Sequence, residues 1–279
     1  MTNGRRLPRL RGGLRRCVLL ALFVCASAVT LAGCGAQTST PPASHTFKGT
    51  LTVTPIGAPC SLPGTIAATS DGSIWFPAFA YGNFGTGQPS GAIGRLSPAG
   101  ALTFFPLPAA NAYPWQIAVG PDGNLWFTIQ TSKGDDAVCG VGRITAQGSV
   151  KTYSPANLFI AGDITPGPDQ GVWFASGSYI VRAGRDGKTS EYVLPKDGFA
   201  PMSAGGITAG GDGALWFATN AASVGRIAPD GTIKLFPFPQ TLQFDTVSSS
   251  LEPRELKGIT TAPDRTLWLT DDYQIGHFV

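Results

Sequence analysis

Residues 115–127 read WQIAVGPDGNLWF, an apolar run, an Asp-Gly pair and a second apolar run that ends in an aromatic pair. Apolar runs separated by Asp-Gly read as a β-hairpin, and the spacing predicts a type I′ turn with positive φ at both central residues. Copies of the pattern occur at Asp71-Gly72 with Trp75-Phe76, Asp169 with Trp173-Phe174, Asp212-Gly213 with Trp216-Phe217, and Asp264 with Trp268-Leu269. In each copy the Trp lies four residues after the Asp, and successive copies are offset by 51, 47, 43 and 52 residues. A period of this length built from short strands is the signature of a β-propeller.

The units extend outward from this hairpin. A third strand carries Ile93-Gly94-Arg95-Leu96, Val141-Gly142-Arg143-Ile144 and Val224-Gly225-Arg226-Ile227, with looser copies at Ile180-Val181-Arg182 and Ile275-Gly276-His277-Phe278. A fourth strand follows at Ala101–Pro106, Ser149–Ser154, Thr189–Leu194 and Thr232–Pro237. The fifth unit stops at Val279 after its third strand, and Gly49–Ile56 is an orphan strand of the fourth type. Pairing the two would remove an exposed sheet edge. The expected fold is all-β, a β-propeller of five four-stranded blades with 3+1 velcro closure, in which the N-terminal strand completes the last blade. The repeat Trp then pack blade on blade, the Asp serve the turns, and Arg95, Arg143, Arg182 and Arg226 make repeated structural hydrogen bonds.

Residues 1–33 read as a lipoprotein signal peptide. They hold six Arg and no acid, and Cys17–Ala32 is an apolar run of 16 residues, short for a membrane span but suited to a signal core. The run ends in Leu31-Ala32-Gly33-Cys34, which resembles the bacterial lipobox and implies a lipidated Cys34 that tethers an exported chain to the cell envelope, with the membrane as partner. Residues 34–47 form a flexible spacer after the lipid site, and 48–279 the propeller domain. Without the signal, 14 bases face 17 acids, so the mature chain lacks the basic footprint that a nucleic acid requires.

The elements I-x-x-G-P-D-G-x-L-W-F and G-R-I-x-x-x-G, at Ile117–Phe127 with Gly142–Ile144 and Gly148, and at Ile207–Phe217 with Gly225–Ile227 and Gly231, resemble the streptogramin B lyase (virginiamycin B lyase-like) propellers. The resemblance covers about Gly49 to Val279. It implies a family usually built of seven blades that opens a cyclic depsipeptide by Mg²⁺-assisted elimination at its ester. It also implies a His before the first strand of certain repeats and a Glu after the aromatic pair. In this chain the His position holds Gly64, Trp115, Gly162, Gly205 and Lys257, and the Glu position holds Ala78, Ile129, Ser176, Thr219 and Asp271. The histidines are His45 in the spacer and His277 in a third strand.

These departures favour a ligand- or protein-binding module that works through its loop face, with no cofactor and no metal site. The face carries Phe79, Tyr81, Phe84, Tyr113, Trp115, Arg254 and Tyr273, a set suited to a small molecule, a glycan or a protein; equally, these aromatics could pack their own loops. A divergent lyase would rest on Lys257, Asp271 or Asp272, with Mg²⁺ only in that case; the bland reading of Lys257 and Asp271 is an ion pair at the rim. A structural envelope scaffold is the third reading. The expected molecule is a monomer. With Cys34 lipidated, Cys60 and Cys139 are expected to pair as a disulfide in an oxidising compartment.

Overall fold

Every regular element among the described residues is a β-strand, and the reason lies in the alternation of the repeat. The computed structural model describes residues 53, 55, 60–61, 64–80, 90–109, 112–133, 136–153, 162–197, 200–221, 223–237, 256–270 and 275–278. The first sheet contains β1 (Cys60–Ser61), β2 (Ala67–Ala68), β3 (Ile74–Ala80), β4 (Ser90–Leu96) and β5 (Leu102–Pro106). The second is β6 (Ala112–Val119), β7 (Leu125–Lys133), β8 (Asp136–Ile144) and β9 (Val150–Tyr153). The third is β10 (Ile164–Pro166), β11 (Val172–Ser176), β12 (Tyr179–Ala183) and β13 (Thr189–Val193). A two-stranded ribbon, β14 (Lys196–Asp197) with β15 (Ala200–Pro201), leads to the fourth sheet. That sheet is β16 (Ala204–Ala209), β17 (Leu215–Thr219), β18 (Ser223–Ile227) and β19 (Ile233–Pro237). The fifth has three strands, β20 (Gly258–Thr261), β21 (Leu267–Thr270) and β22 (Ile275–Phe278).

Each sheet is an antiparallel meander, the blade of a β-propeller. The three-stranded last sheet agrees with the sequence. The strand expected to complete it, Gly49–Ile56, lies outside the described residues apart from Val53 and Pro55.

Period-two alternation along Leu-Trp-Phe splits each second strand between two interfaces. Trp75 packs with Leu125 and Phe127 of the next sheet, and Trp126 with Val172 and Phe174. Trp173 packs with Leu215 and Phe217, and Trp216 with Leu267 and Leu269. The core is therefore four clusters between successive blades, and each Trp belongs to the interface with the following blade. Each of these Trp also stacks on an aromatic ring of its own fourth strand: Phe105 at 5.6 Å, Tyr153 at 6.1 Å, Tyr192 at 5.4 Å and Phe236 at 5.4 Å between centroids. Trp268 is 42% exposed and leans on His277 at 5.3 Å.

Two expectations are corrected. In the hairpin 120–124, Gly123 has φ 73° while Asp122 is not in the left-handed region. Gly123 N–H donates to Gly120 O at 3.0 Å, and Gly120 N–H to Asn124 O at 2.8 Å. This is a three-residue loop, a type I turn closed by a left-handed glycine, rather than a type I′ turn. The Asp needs negative φ there so that its carboxylate can fold back over the turn.

The second correction concerns Cys139, which is a free, buried thiol, so the expected bridge to Cys60 is not formed. Alternation along β8 puts Cys139 and Val141 on the face that packs against Val172, Phe174 and Val181 of the third sheet, while Ile144 faces the first. Cys60 belongs to the first sheet. Burial pushes the Cys139 thiol up to about 11, which leaves it protonated and inert.

Candidate functional site

The repeat Asp residues form the most regular polar constellation. One carboxylate oxygen accepts from the indole N–H of the Trp four residues on: Asp122 from Trp126 at 3.0 Å, Asp169 from Trp173 at 2.9 Å, Asp212 from Trp216 at 3.1 Å. The other oxygen holds the third-strand Arg, with Arg143 at 2.8 Å from Asp122 and Arg226 at 2.7 Å from Asp212, and Arg182 likewise on Asp169. Arg143 and Arg226 lie over the faces of Trp126 and Trp216. In the first sheet, Trp75 donates instead to Thr69 Oγ1 at 3.2 Å, while Arg95 keeps its bond to Asp71 at 2.9 Å. Every oxygen in this set is used, so it braces the hairpins and is not a reaction centre.

Its electrostatics follow from those bonds. Asp71 is held at about 2, first by the Thr69 hydroxyl and then by the Ser73 backbone and hydroxyl. Burial pushes Asp122, Asp169 and Asp212 up, but their Trp and Arg partners outweigh it, and all three lie below the ordinary value of 3.8. A carboxyl depressed in the folded state contributes stability that is present above its unfolded pKa and lost as pH falls through its folded pKa. The urea midpoint is therefore expected to hold from neutral pH down to about 5 and to drop between about pH 4 and 2. Asp122→Asn should flatten that drop; a wild-type midpoint that stays level to pH 2 would contradict the assignment.

A second constellation lies at the start of the innermost strands. In β6, Pro114 pairs with Ile129 and Ile117 with Phe127, so Trp115 and Gln116 together oppose Thr128. In β16, Gly205 and Gly206 oppose Ala218 in the same way. Gly162 and Asp163 both bond to Ala175, and Lys257 and Gly258 both meet Thr270. Each is a two-against-one arrangement, the form of a β-bulge, which re-aims side chains where pairing is interrupted. In the first sheet, Pro77 stands at this point of β3; lacking an N–H, it cannot donate to the inner strand, and β1 and β2 pair with β3 on either side of it.

Neighbouring bulges are tied together. Ile117 N–H donates to Thr65 Oγ1 at 2.9 Å across the first and second sheets. Gln116 N–H donates to Thr128 Oγ1 at 3.2 Å, and that hydroxyl donates to Gly162 O at 3.2 Å. Gly206 N–H donates to Lys257 O at 3.1 Å. The five positions Gly64, Trp115, Gly162, Gly205 and Lys257 thus stand at one rim, as the sequence implied. Three of them have little or no room for a side chain: a Cβ at Gly64 would lie 2.5 Å from Trp115 O, one at Gly162 2.5 Å from Ala175 O, and one at Gly205 3.1 Å from Lys257 O.

The other positions are placed as follows. Ala78, Ile129, Ser176 and Thr219 are buried, and Thr219 Oγ1 is spent on Ser223 O at 2.8 Å. Trp115 is 48% exposed and Lys257 is exposed at its bulge. Phe79 and Tyr113 come together edge-to-face, 5.9 Å between centroids and 87° between planes, which is packing between the first and second sheets. Tyr81, Phe84, Arg254, Asp271, Asp272, Tyr273 and the lipidation residue Cys34 lie outside the described residues. Mg²⁺ takes oxygen ligands, with carboxylates foremost. Among the described residues, Gly, Trp and Lys at the first set of positions and Ala, Ile, Ser and Thr at the second do not make that donor set, and no three His, Cys, Asp or Glu cluster; the fifth position of the second set, Asp271, lies outside them.

Sequence reading missed Asp163. Burial pushes its carboxyl up, the opposite of the six depressed Asp, and its backbone carbonyl accepts from Ala175 N–H at 3.1 Å. The available signal was an acid beside the His position, at a point that the pattern leaves unspecified.

Residues 43–247 match the virginiamycin B lyase family. Over 70 residues the chain is 43% identical to virginiamycin B lyase of Bordetella bronchiseptica, covering 25% of this chain and 20% of that protein. Over 67 residues it is 42% identical to virginiamycin B lyase of Bordetella pertussis, covering 24% and 19%. The match thus spans about a fifth of the length of these relatives. Selenomethionine-substituted virginiamycin B lyase from Staphylococcus aureus superposes with a TM-score of 0.57 at 24% identity, covering 78% of this chain and 80% of that one. A catalytically inactive histidine-to-alanine variant of virginiamycin B lyase from S. aureus, solved with quinupristin, gives 0.56 at 24% identity, again covering 78% and 80%. Both likenesses show the fold.

Proposed function

The chain belongs to the virginiamycin B lyase family, and from that premise we propose that it is a lipid-tethered, extracytoplasmic propeller that binds a ligand or partner at the bulge rim without lyase chemistry. The observation that carries this reading is the lack of space at Gly64, Gly162 and Gly205, where backbone carbonyls of the neighbouring or facing strand lie at or inside contact distance of any Cβ. A histidine could enter at Gly64 or Gly162 only if the strands moved apart, and at Gly205 only if the Lys257 carbonyl gave way. The rim instead presents the half-exposed indole of Trp115, a ring with apolar faces and one donor, of the kind that dominates binding surfaces.

Incubation of residues 34–279 with quinupristin and Mg²⁺, followed by mass spectrometry, is expected to return the antibiotic with its ring intact. Ring opening above the rate in buffer would sink the reading and favour the divergent lyase resting on Lys257, Asp271 or Asp272. Anchoring at Cys34 rests on the Leu31-Ala32-Gly33-Cys34 sequence, and Cys34→Ala should move the protein from the membrane to the soluble fraction.

A further inference from the structure

We propose that the cleft between the hairpin turns of the fourth and fifth sheets binds a small carboxylic acid, with the Arg265 guanidinium as its counter-ion and Trp216, Leu267 and Phe278 as the apolar wall against its body. The cleft lies past the ends of β16 and β20, whereas the bulge rim lies at their starts. It is a second site and does not rest on the binding reading above.

The cleft has a volume of about 390 Å³ and is lined by Gly211, Asp212, Trp216, Arg265, Leu267 and Phe278, a size within the range of small-molecule sites. The repeat pattern is broken here in two places. The residue before the repeat Asp is Pro121 in the second sheet and Pro168 in the third, but Gly211 in the fourth. The Arg265 stem lies over that glycine, since a Cβ there would fall 2.6, 2.7 and 2.8 Å from its Cβ, Cγ and Cδ. Arg265 itself has φ 72°, where the equivalent turns of the first, second and fourth sheets are closed by Gly72, Gly123 and Gly213. A side chain in that region is strained, and such strain is kept where a site needs it. Gln170, the other such residue among those described, spends its side chain on Arg185 at 2.6 Å. Among the described residues, the Arg265 guanidinium makes no hydrogen bond or ion pair.

The acids nearby are already engaged. Asp212 is held by Arg226 at 2.7 Å and by the Trp216 N–H at 3.1 Å, and Asp264 accepts from the Thr266 N–H at 3.0 Å and hydroxyl at 2.7 Å. Of the two charged residues that line the cleft, Asp212 is therefore answered and Arg265 is not. A guanidinium presents a planar fork that matches the two oxygens of a carboxylate. A dianion such as a phosphate monoester would set two charges against this one cation, with the Asp212 carboxylate on the same wall. The rest of the wall is apolar: Leu267, with Trp216 and Phe278 at 5.5 Å between ring centroids and 49° between planes. Trp216 is 8% exposed, against 1% for Trp75 and Trp126 and 0% for Trp173, so this is the most open of the four blade interfaces. A single carboxylate on an apolar or flat ring meets both the cation and this wall.

Calorimetric titration of residues 34–279 with benzoate and with glucuronate, each beside its neutral amide, and with inorganic phosphate tests this. The acids are expected to bind saturably in the millimolar range and the amides about tenfold more weakly or not at all. The tighter acid separates an aromatic from a uronic-acid source. Arg265→Gly, which restores the residue of the equivalent turns, should weaken binding about tenfold or more while raising the Tm of the free protein by about 2–4 °C, since the left-handed strain is relieved. Arg265→Lys should keep part of the affinity, because the charge remains without the fork. Gly211→Ala should weaken binding by a smaller factor with circular dichroism unchanged, because its methyl displaces the Arg265 stem. Equal binding of acid and amide, unchanged affinity in Arg265→Gly, or phosphate binding as tight as that of either acid would each overturn the inference. Acid binding that is lost in Trp115→Ala and kept in Arg265→Gly would place the site at the bulge rim and overturn it while the earlier reading stands.

Discussion

Trp173→Ala is expected to cost about 3–5 kcal/mol of stability, and Trp268→Ala about 1 kcal/mol or less. Trp173 is fully buried among Ala175, Ile180, Leu194, Met202, Ile207, Leu215 and Phe217 from two sheets. Its ring stacks on Tyr192 at 5.4 Å and its N–H is bound by Asp169 at 2.9 Å. Truncation removes the contact that joins the third blade to the fourth and opens a cavity that two rigid sheets cannot close. Trp268 occupies the same place in its repeat but is 42% exposed and touches His277 on its own sheet. Urea denaturation of both variants checks the contrast. Equal losses would mean that Trp268 is held by contacts outside the described residues, and the account of the fifth sheet would have to change.

The second large effect is expected at Gly187. Gly187→Ala should destabilise the protein by about 2–5 kcal/mol, the sum of a left-handed backbone penalty and overpacking. Gly100→Ala should lose only the backbone part, about 1–2 kcal/mol. The two glycines have the same φ, 82°, and close equivalent turns between third and fourth strands. They differ in what a Cβ would meet. At Gly100 there is nothing within 4 Å, whereas at Gly187 the Cβ would fall inside the ring of Tyr153 from the preceding blade. Gly148 and Gly231 meet Phe105 and Tyr192 in the same manner. The blade stack thus runs from a Trp, through the aromatic of its own fourth strand, to the turn glycine of the next blade. Thermal or urea unfolding of the pair separates conformational cost from packing cost, and similar losses would show that Tyr153 yields to the added methyl.

Much of this arrangement was legible in the chain. Asp122-Gly123 and Leu125-Trp126-Phe127 announce a hairpin because turn chemistry and side-chain alternation are local, set by residues within a few positions of one another. The same alternation assigned the Trp to packing and the Asp and Arg to bracing, and the bonds of Asp122 to Trp126 and Arg143 bear this out. The turn type was misread because Asp-Gly admits both a type I′ turn and a type I turn closed by a left-handed glycine, and the choice depends on loop length and on where the carboxylate is needed. The empty His positions were also readable, but their meaning was not. That Gly64, Gly162 and Gly205 are glycines is sequence; that a carbonyl stands where a Cβ would go is not.

The sequence by itself determined the repeat, the hairpins, the side of each strand that meets a neighbouring blade, and the absence of a histidine from the five rim positions. Tertiary structure alone decided which sheet the Cys139 thiol faces and that residues 115–116 and 205–206 form bulges. The physical reason is the range of the interactions. Alternation and turns follow from covalent geometry within a strand. A bulge and a carbonyl against a glycine depend on how whole strands pair within a sheet or meet from neighbouring repeats, and no pattern of a few consecutive residues records that meeting.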